Sequence, residues 1–306
     1  MLSKNLHKTV CAAALIVGTS FGPAISETAD AQKTGFIEEV GGSERVDSSG
    51  KLRMLSQRIP NTACYAHAGI KPEASEELLM KSRALFQKII TGLEKGDTEL
   101  GMIGAEKDRK VIAKIQDVHK TWGRVFDATS KPVAEQEASE IIPFLKDESA
   151  PLLAAAKLLV SEVVREYSDP TALLGKDALA IDIAGRQRML SQRISKNACL
   201  IATGYGSEKA QKELEGARKM FNVSAQALRF GLPAAGIQPI DNDDINNRLD
   251  EVLQVWAGVQ PLLDRVSAGD DLSEADVTAM FTTFNSLTGK MNTIVGLYSD
   301  ASKLNL

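Results

Sequence analysis

The chain has 306 residues, 43% of them hydrophobic and 25% charged, enough to bury a sizeable core in one or two domains. Thirty-six basic residues against 40 acidic ones leave a net charge of −4, which excludes bulk electrostatic attraction to nucleic acid or to an anionic membrane surface. Three histidines and three cysteines are too few for a zinc-finger or multi-histidine metal site, and no cofactor is implied.

At the N-terminus, Lys4, His7 and Lys8 precede a mostly apolar run from Val10 to Ile25, and Ala29-Asp30-Ala31 follows. This layout predicts a secretory signal peptide over 1–31, cleaved before Gln32, and a periplasmic or secreted mature protein. An uncleaved anchor is the rival reading. It is disfavoured because Gly18, Gly22 and Pro23 interrupt a run already shorter than the ~20 residues that a spanning helix needs. No later segment is apolar for long enough to cross a bilayer.

Leu, Ala, Lys and Glu in long runs, without alternating β-branched segments, make the rest all-α. In the first half the pattern predicts helices over 43–69, 72–95, 104–130 and 133–168. In the second half it predicts 171–204, 207–230, 242–267 and 272–302, with Asp241 and Ser273 in the capping regions. Pro143, Pro151 and Pro261 fall inside helical stretches, where kinks or breaks are expected. Trp122 and Trp256 read as core or inter-copy anchors.

The halves are copies of one another. Leu52 to Ile59 reappears as Gln187 to Ile194, with seven of eight positions matching at an offset of 135. The same offset carries Asp47 to Asp182, Gly50 to Gly185, Cys64 to Cys199 and Phe86 to Phe221. A unit this long is a duplicated domain, since solenoid repeats are usually ~20 to 50 residues. The expected organisation is two tandem antiparallel four-helix bundles, copy one at 32–169 and copy two at 170–306.

Within the repeated octapeptide, Leu55 and Ile59, like Leu190 and Ile194, point into their own bundle. The opposite face reads Val46, Gly50, Arg53, Gln57, Pro60, Cys64, His67 in copy one. In copy two it reads Ile181, Gly185, Arg188, Gln192, Ser195, Cys199, Ala202. Its alternating spacing of four and three is that of a helix seam, and the natural partner is the duplicate. The two bundles are then expected to pack about a pseudo-two-fold axis with Arg53 beside Arg188. Cys64 and Cys199 lie on the same stripe, so either they bridge the seam as a disulfide or they are two separate buried thiols.

The segment from Lys176 to Ile194 closely resembles the P-box helix of NarX-like nitrate/nitrite sensors. It is more similar still to the N-terminal domain of PilJ-type type IV pili methyl-accepting chemotaxis transducers. The resemblance implies periplasmic four-helix bundles in which the arginine before the methionine, one from each of two parallel helices, holds one anion. The matching positions here are Arg53 and Arg188, with Gln57 and Gln192 as polar lining and Gly50 and Gly185 allowing close approach. Asp47 and Asp182 depart from it, since the family usually has Asn there. No transducer-type cytoplasmic segment follows, so a signal would have to pass to a separate protein.

Two functional classes remain. One is a soluble periplasmic sensory or ligand-binding module for a small oxyanion, with nitrate or nitrite leading and a membrane sensor or transducer as partner. The other is a ligand-free adaptor docking on a transducer or on a type IV pilus component. An enzyme is not expected, because no nucleophile–base pair, metal set or nucleotide loop occurs.

Overall fold

Helix-forming residues, with glycines and capping side chains at the breaks, set out eight α-helices in the computed structural model, which describes residues 40–168 and 175–303. In chain order they are α1 (Gly42–His67), α2 (Pro72–Lys95), α3 (Arg109–Ala128), α4 (Ala138–Tyr167), α5 (Gly175–Ala202), α6 (Glu208–Phe230), α7 (Asp243–Ala268) and α8 (Glu274–Lys303). The expected leader at 1–31 and the start of the helix expected from 171 lie outside the described residues. No described helix is long and apolar enough to cross a membrane.

The expected start of the third helix at 104 moves to Arg109. Gly101 and Gly104 take positive φ, and the Asp108 carboxylate accepts the Lys110 and Val111 amides, satisfying donors that a helix start leaves open. The fourth helix starts at Ala138 instead of 133, because Pro132 leads into a 3₁₀ turn at Val133–Glu135. In copy two the cap is Asn242, which accepts from Ile245, while Asp241 stands outside. Ser273 caps α8 in a reciprocal pair with Asp276. None of the internal prolines breaks its helix: α4 runs through Pro143 and Pro151, and α7 through Pro261.

Each copy is a four-helix bundle in which the first helix packs on the second and fourth. The core repeats as the sequence does. Phe86 stacks on Trp122 at 4.1 Å and Phe221 meets Trp256 at 4.4 Å, and the two indole N–H groups donate to Gln87 and Asn222, positions that are again 135 apart. Even the loops repeat: the bridge Asp97–Met102 with Gly101 at φ +72° matches Leu232–Ile237 with Gly236 at φ +73°.

One element is unique to copy one. Arg45 is fully buried and donates to the carbonyls of Val40, Leu93, Ile103 and Gly104, with Glu106 beside it. The Tyr167 hydroxyl donates to Glu106 at 2.7 Å, closing the cluster. It pins the start of α1 against the loop before α3. Copy two has Ala180 at the matching position.

The copies join through α1 and α5, which lie side by side. Contacts advance in the same direction along both, from Arg53–Asp182 to Asn61–Gln192 to Cys64–Cys199, so the helices run parallel. Each central helix is therefore wrapped by its own bundle and by its duplicate. That is why so many polar residues of α1, including Ser56, Gln57, Asn61 and Thr62, are buried.

Candidate functional site

The centre of the seam is a cluster of charges. Arg53 and Arg188 are only 9% and 3% exposed, too little for a guanidinium that simply faces water. Each pairs with a carboxylate of the other copy: Arg53 Nη1 lies 3.1 Å from Asp182, and Arg188 Nη1 lies 3.5 Å from Asp47. Each aspartate also pairs with a cation one turn on in its own helix, Asp47 with Lys51 at 2.7 Å and Asp182 with Arg186. Four cations thus face two carboxylates, and the cluster retains positive charge.

The guanidinium groups converge. A Cβ added at Gly50 would stand 3.8 Å from Nη2 of both arginines, and one at Gly185 would stand 3.5 Å from Arg188 Nη2 and 3.7 Å from Arg53 Nη2. The glycines therefore leave a small space, under which both terminal nitrogens meet. Arg53 Nε is buried without a hydrogen-bond partner. Arg188 spends Nη1 on Asn292 at 2.8 Å. Burial pushes both arginines below their ordinary pKa, the opposing aspartates pull them back, and Arg53 further lowers Arg188.

The glutamines of the stripe sit one turn further along and are buried. Gln57 Nε2 donates to the Ser149 carbonyl, and Gln192 Nε2 donates to Thr288 Oγ1 at 2.7 Å. Gln192 Oε1 accepts from Asn61 across the seam. Their amide donors hold α1 to α4 and α5 to α8, which orients the stripe from behind. Three turns along, Cys64 and Cys199 are bonded, with Cα atoms 6.3 Å apart.

Sequence reasoning missed Tyr65 and Asn61, which reach across the seam although the matching residues are Leu200 and Lys196. Tyr65 meets Phe281 of copy two edge-on at 5.1 Å. Nothing in the repeat marks either, because each copy fills the seam differently. The expected seam residue His67 instead meets the Gln136 carbonyl at 3.0 Å, within its own copy.

Lys196 shows the difference most clearly. It is 2% exposed, donates to Ser149 Oγ of copy one at 2.9 Å, and lies 3.6 Å from Glu213. Burial, with Arg193 and Lys209 nearby, lowers its pKa to about 8 against the pull of Glu213. The unfolded chain keeps this proton to about pH 10.4, so above pH 8 the unfolded state holds more protons and stability rises with pH. Relative to Lys196→Met, the wild-type chain should gain roughly 2–3 kcal/mol between pH 7 and 10, read as urea midpoints at each pH. A difference that stays flat with pH would contradict this placement of Lys196.

Methyl-accepting chemotaxis protein McpN of Pseudomonas aeruginosa is 29% identical over 119 residues, 39% of this chain and 22% of that protein. Protein PilJ of the same species is 26% identical over 225 residues, 72% of this chain and 31% of that protein. These matches span less than a third of either relative. Among solved structures, the ligand-binding domain of the P. aeruginosa nitrate receptor McpN matches 40% of this chain and 95% of its own, at 26% identity and a TM-score of 0.36. The family model for the N-terminal domain of type IV pili methyl-accepting chemotaxis transducers matches twice, over 38–142 and 171–279, once in each bundle, and the chain therefore belongs to the PilJ family.

Proposed function

We propose that this chain is a periplasmic sensory module that binds one small oxyanion, nitrate or nitrite, between Arg53 and Arg188. The observation that carries this reading is the convergence of two buried guanidinium groups beneath Gly50 and Gly185, in a cluster where cations outnumber carboxylates. A planar guanidinium offers permanently charged donors in fixed directions, suited to a planar oxyanion. Two such groups held together repel until an anion enters. Nitrate is chosen because the similar McpN domain belongs to a nitrate receptor, and the cystine across the seam supports an oxidising compartment. The bound state would be passed on through the outer helices to a partner protein of the chemotaxis-transducer kind.

Calorimetric titration of the disulfide-bonded chain with nitrate and nitrite tests the reading, and saturable binding of one anion per chain is expected. Gly50→Ala combined with Gly185→Ala would fill the space between the glycines and the guanidinium groups and should abolish the signal without unfolding the helices. Absence of heat with either anion would overturn it.

A second reading rests on the same cluster. Because Asp47 and Asp182 already engage both arginines, the crossed ion pairs could serve as a permanent clasp between the copies, in an adaptor that binds no small molecule. Failure of the titration would favour that alternative.

A further inference from the structure

The repeated octapeptide carries a second arginine, Arg58 in copy one and Arg193 in copy two, and the duplication provides an internal control on what it does. Arg193 pairs with Glu213 at 3.5 Å, and Lys196 fills the space beside them by reaching Ser149 of the other copy. In copy one the positions matching Glu213 and Lys196 are Leu78 and Asn61. Arg58 has lost the acid. Among the described residues no hydrogen bond or ion pair reaches its side chain, and its Nε is buried without a partner. Burial alone, with no compensating carboxylate, pushes it down to about 10. Arg58 is partly buried, and a cation drawn out of water without a carboxylate beside it is stabilised by any anion that reaches it.

Arg58 also opens onto a space. On the copy-one side lies a groove of about 690 Å³ between α2 and α8, floored by α1 and by Arg188 of α5. Its walls are apolar for most of their length, from Leu78, Leu85 and Ile89 on one side and Phe281 on the other. Asn285 and Asn292 enter from α8. Both use their side-chain oxygens to accept from Gln192 and Arg188, which turns their amide N–H groups to other partners. The other cations of the groove are already engaged: Lys51 with Asp47, Lys81 with Glu77, and Arg188 with Asn292 and Asp47. Arg58 is thus the unspent charge of a groove whose size is ordinary for a small-molecule site.

We propose that this groove is a second ligand site, centred on Arg58 and sharing only Arg188 with the space between Arg53 and Arg188, and that it takes a small monocarboxylate with an apolar tail. The carboxylate pairs with the Arg58 guanidinium and accepts from the asparagine amides of α8. The tail lies between the apolar residues of α2 and Phe281. Because the groove is walled by one helix from each copy, an occupant bridges the two bundles and bears directly on how α2 and α8 sit against each other.

The test is calorimetric titration of the disulfide-bonded chain with octanoate, with octanol and octylamine as neutral and cationic isosteres. Saturable octanoate binding is expected, with octanol weaker by roughly 10- to 100-fold, the worth of a charge-assisted pair. Leu78→Glu restores to copy one the acid that copy two has. It should pair with Arg58 and lower octanoate affinity by a similar factor while circular dichroism stays helical. Arg58→Met should do the same. The inference is overturned if octanol binds as well as octanoate, if Leu78→Glu folds and binds octanoate unchanged, or if none of the three probes binds at millimolar concentration. Displacement of octanoate by nitrate would place the carboxylate at the Arg53–Arg188 pair and would also overturn it.

Discussion

Replacing either Arg53 or Arg188 with alanine should reduce nitrate affinity by roughly 100-fold or more, since each guanidinium supplies charge-assisted donors worth about 1.5–3 kcal/mol apiece. One cation cannot furnish both sides of the clamp, so the two single variants should be nearly as deficient as the double. Neutralising the competing carboxylates should act in the opposite direction. Asp47→Asn and Asp182→Asn free Arg188 and Arg53 from partners at 3.5 and 3.1 Å and leave the cluster more positive. Both aspartates are partly solvated, which screens them, and an affinity gain of about tenfold for the pair of substitutions is the expected scale. Arg58→Ala should leave nitrate binding close to wild type, because that side chain belongs to the other groove. Calorimetry on the wild type and these five variants decides it: nitrate heats unchanged in Arg53→Ala and Arg188→Ala would remove the site.

Cutting the Cys64–Cys199 bond should be the largest single loss of stability in the molecule. The bond closes 135 residues of chain, and a loop that long restricts the unfolded ensemble more than most natural cystines do. Cys64→Ser with Cys199→Ser should lower stability by about 2–5 kcal/mol. For a chain of this size, that corresponds to a Tm lower by roughly 4 to 10 °C. Reductant added to the wild-type protein should produce the same shift and should leave the double variant unmoved. The seam itself should persist, because Tyr65 against Phe281, the Asn61–Gln192 hydrogen bond and the crossed ion pairs hold α1 to α5 independently. A Tm that ignores reductant would show that the bond contributes nothing to the folded state.

The all-α class, the duplication and most helix boundaries were legible in the sequence because each depends on local spacing, and the placing of Arg53 beside Arg188 because a duplicated stripe pairs with its own copy by symmetry. A helix turns 100° per residue whatever surrounds it, so a stripe of Gly, Arg, Gln and Cys at alternating steps of four and three already names a face. Where boundaries slipped, at Arg109 and Ala138, a turn or a cap took residues that composition alone assigns to a helix.

Partners across the seam could not be read the same way. That Asp182 answers Arg53 and Asp47 answers Arg188, each from the other copy, depends on the register and crossing of two parallel helices. Contacts between helices depend on how the faces dock, which no local period records. The same holds for Arg58 and Arg193, identical within the repeat. Only the packed structure shows Arg193 meeting Glu213 and Arg58 meeting no acid among the described residues, because a cation's state is set by the neighbours folding brings to it, here Leu78 in one copy and a carboxylate in the other.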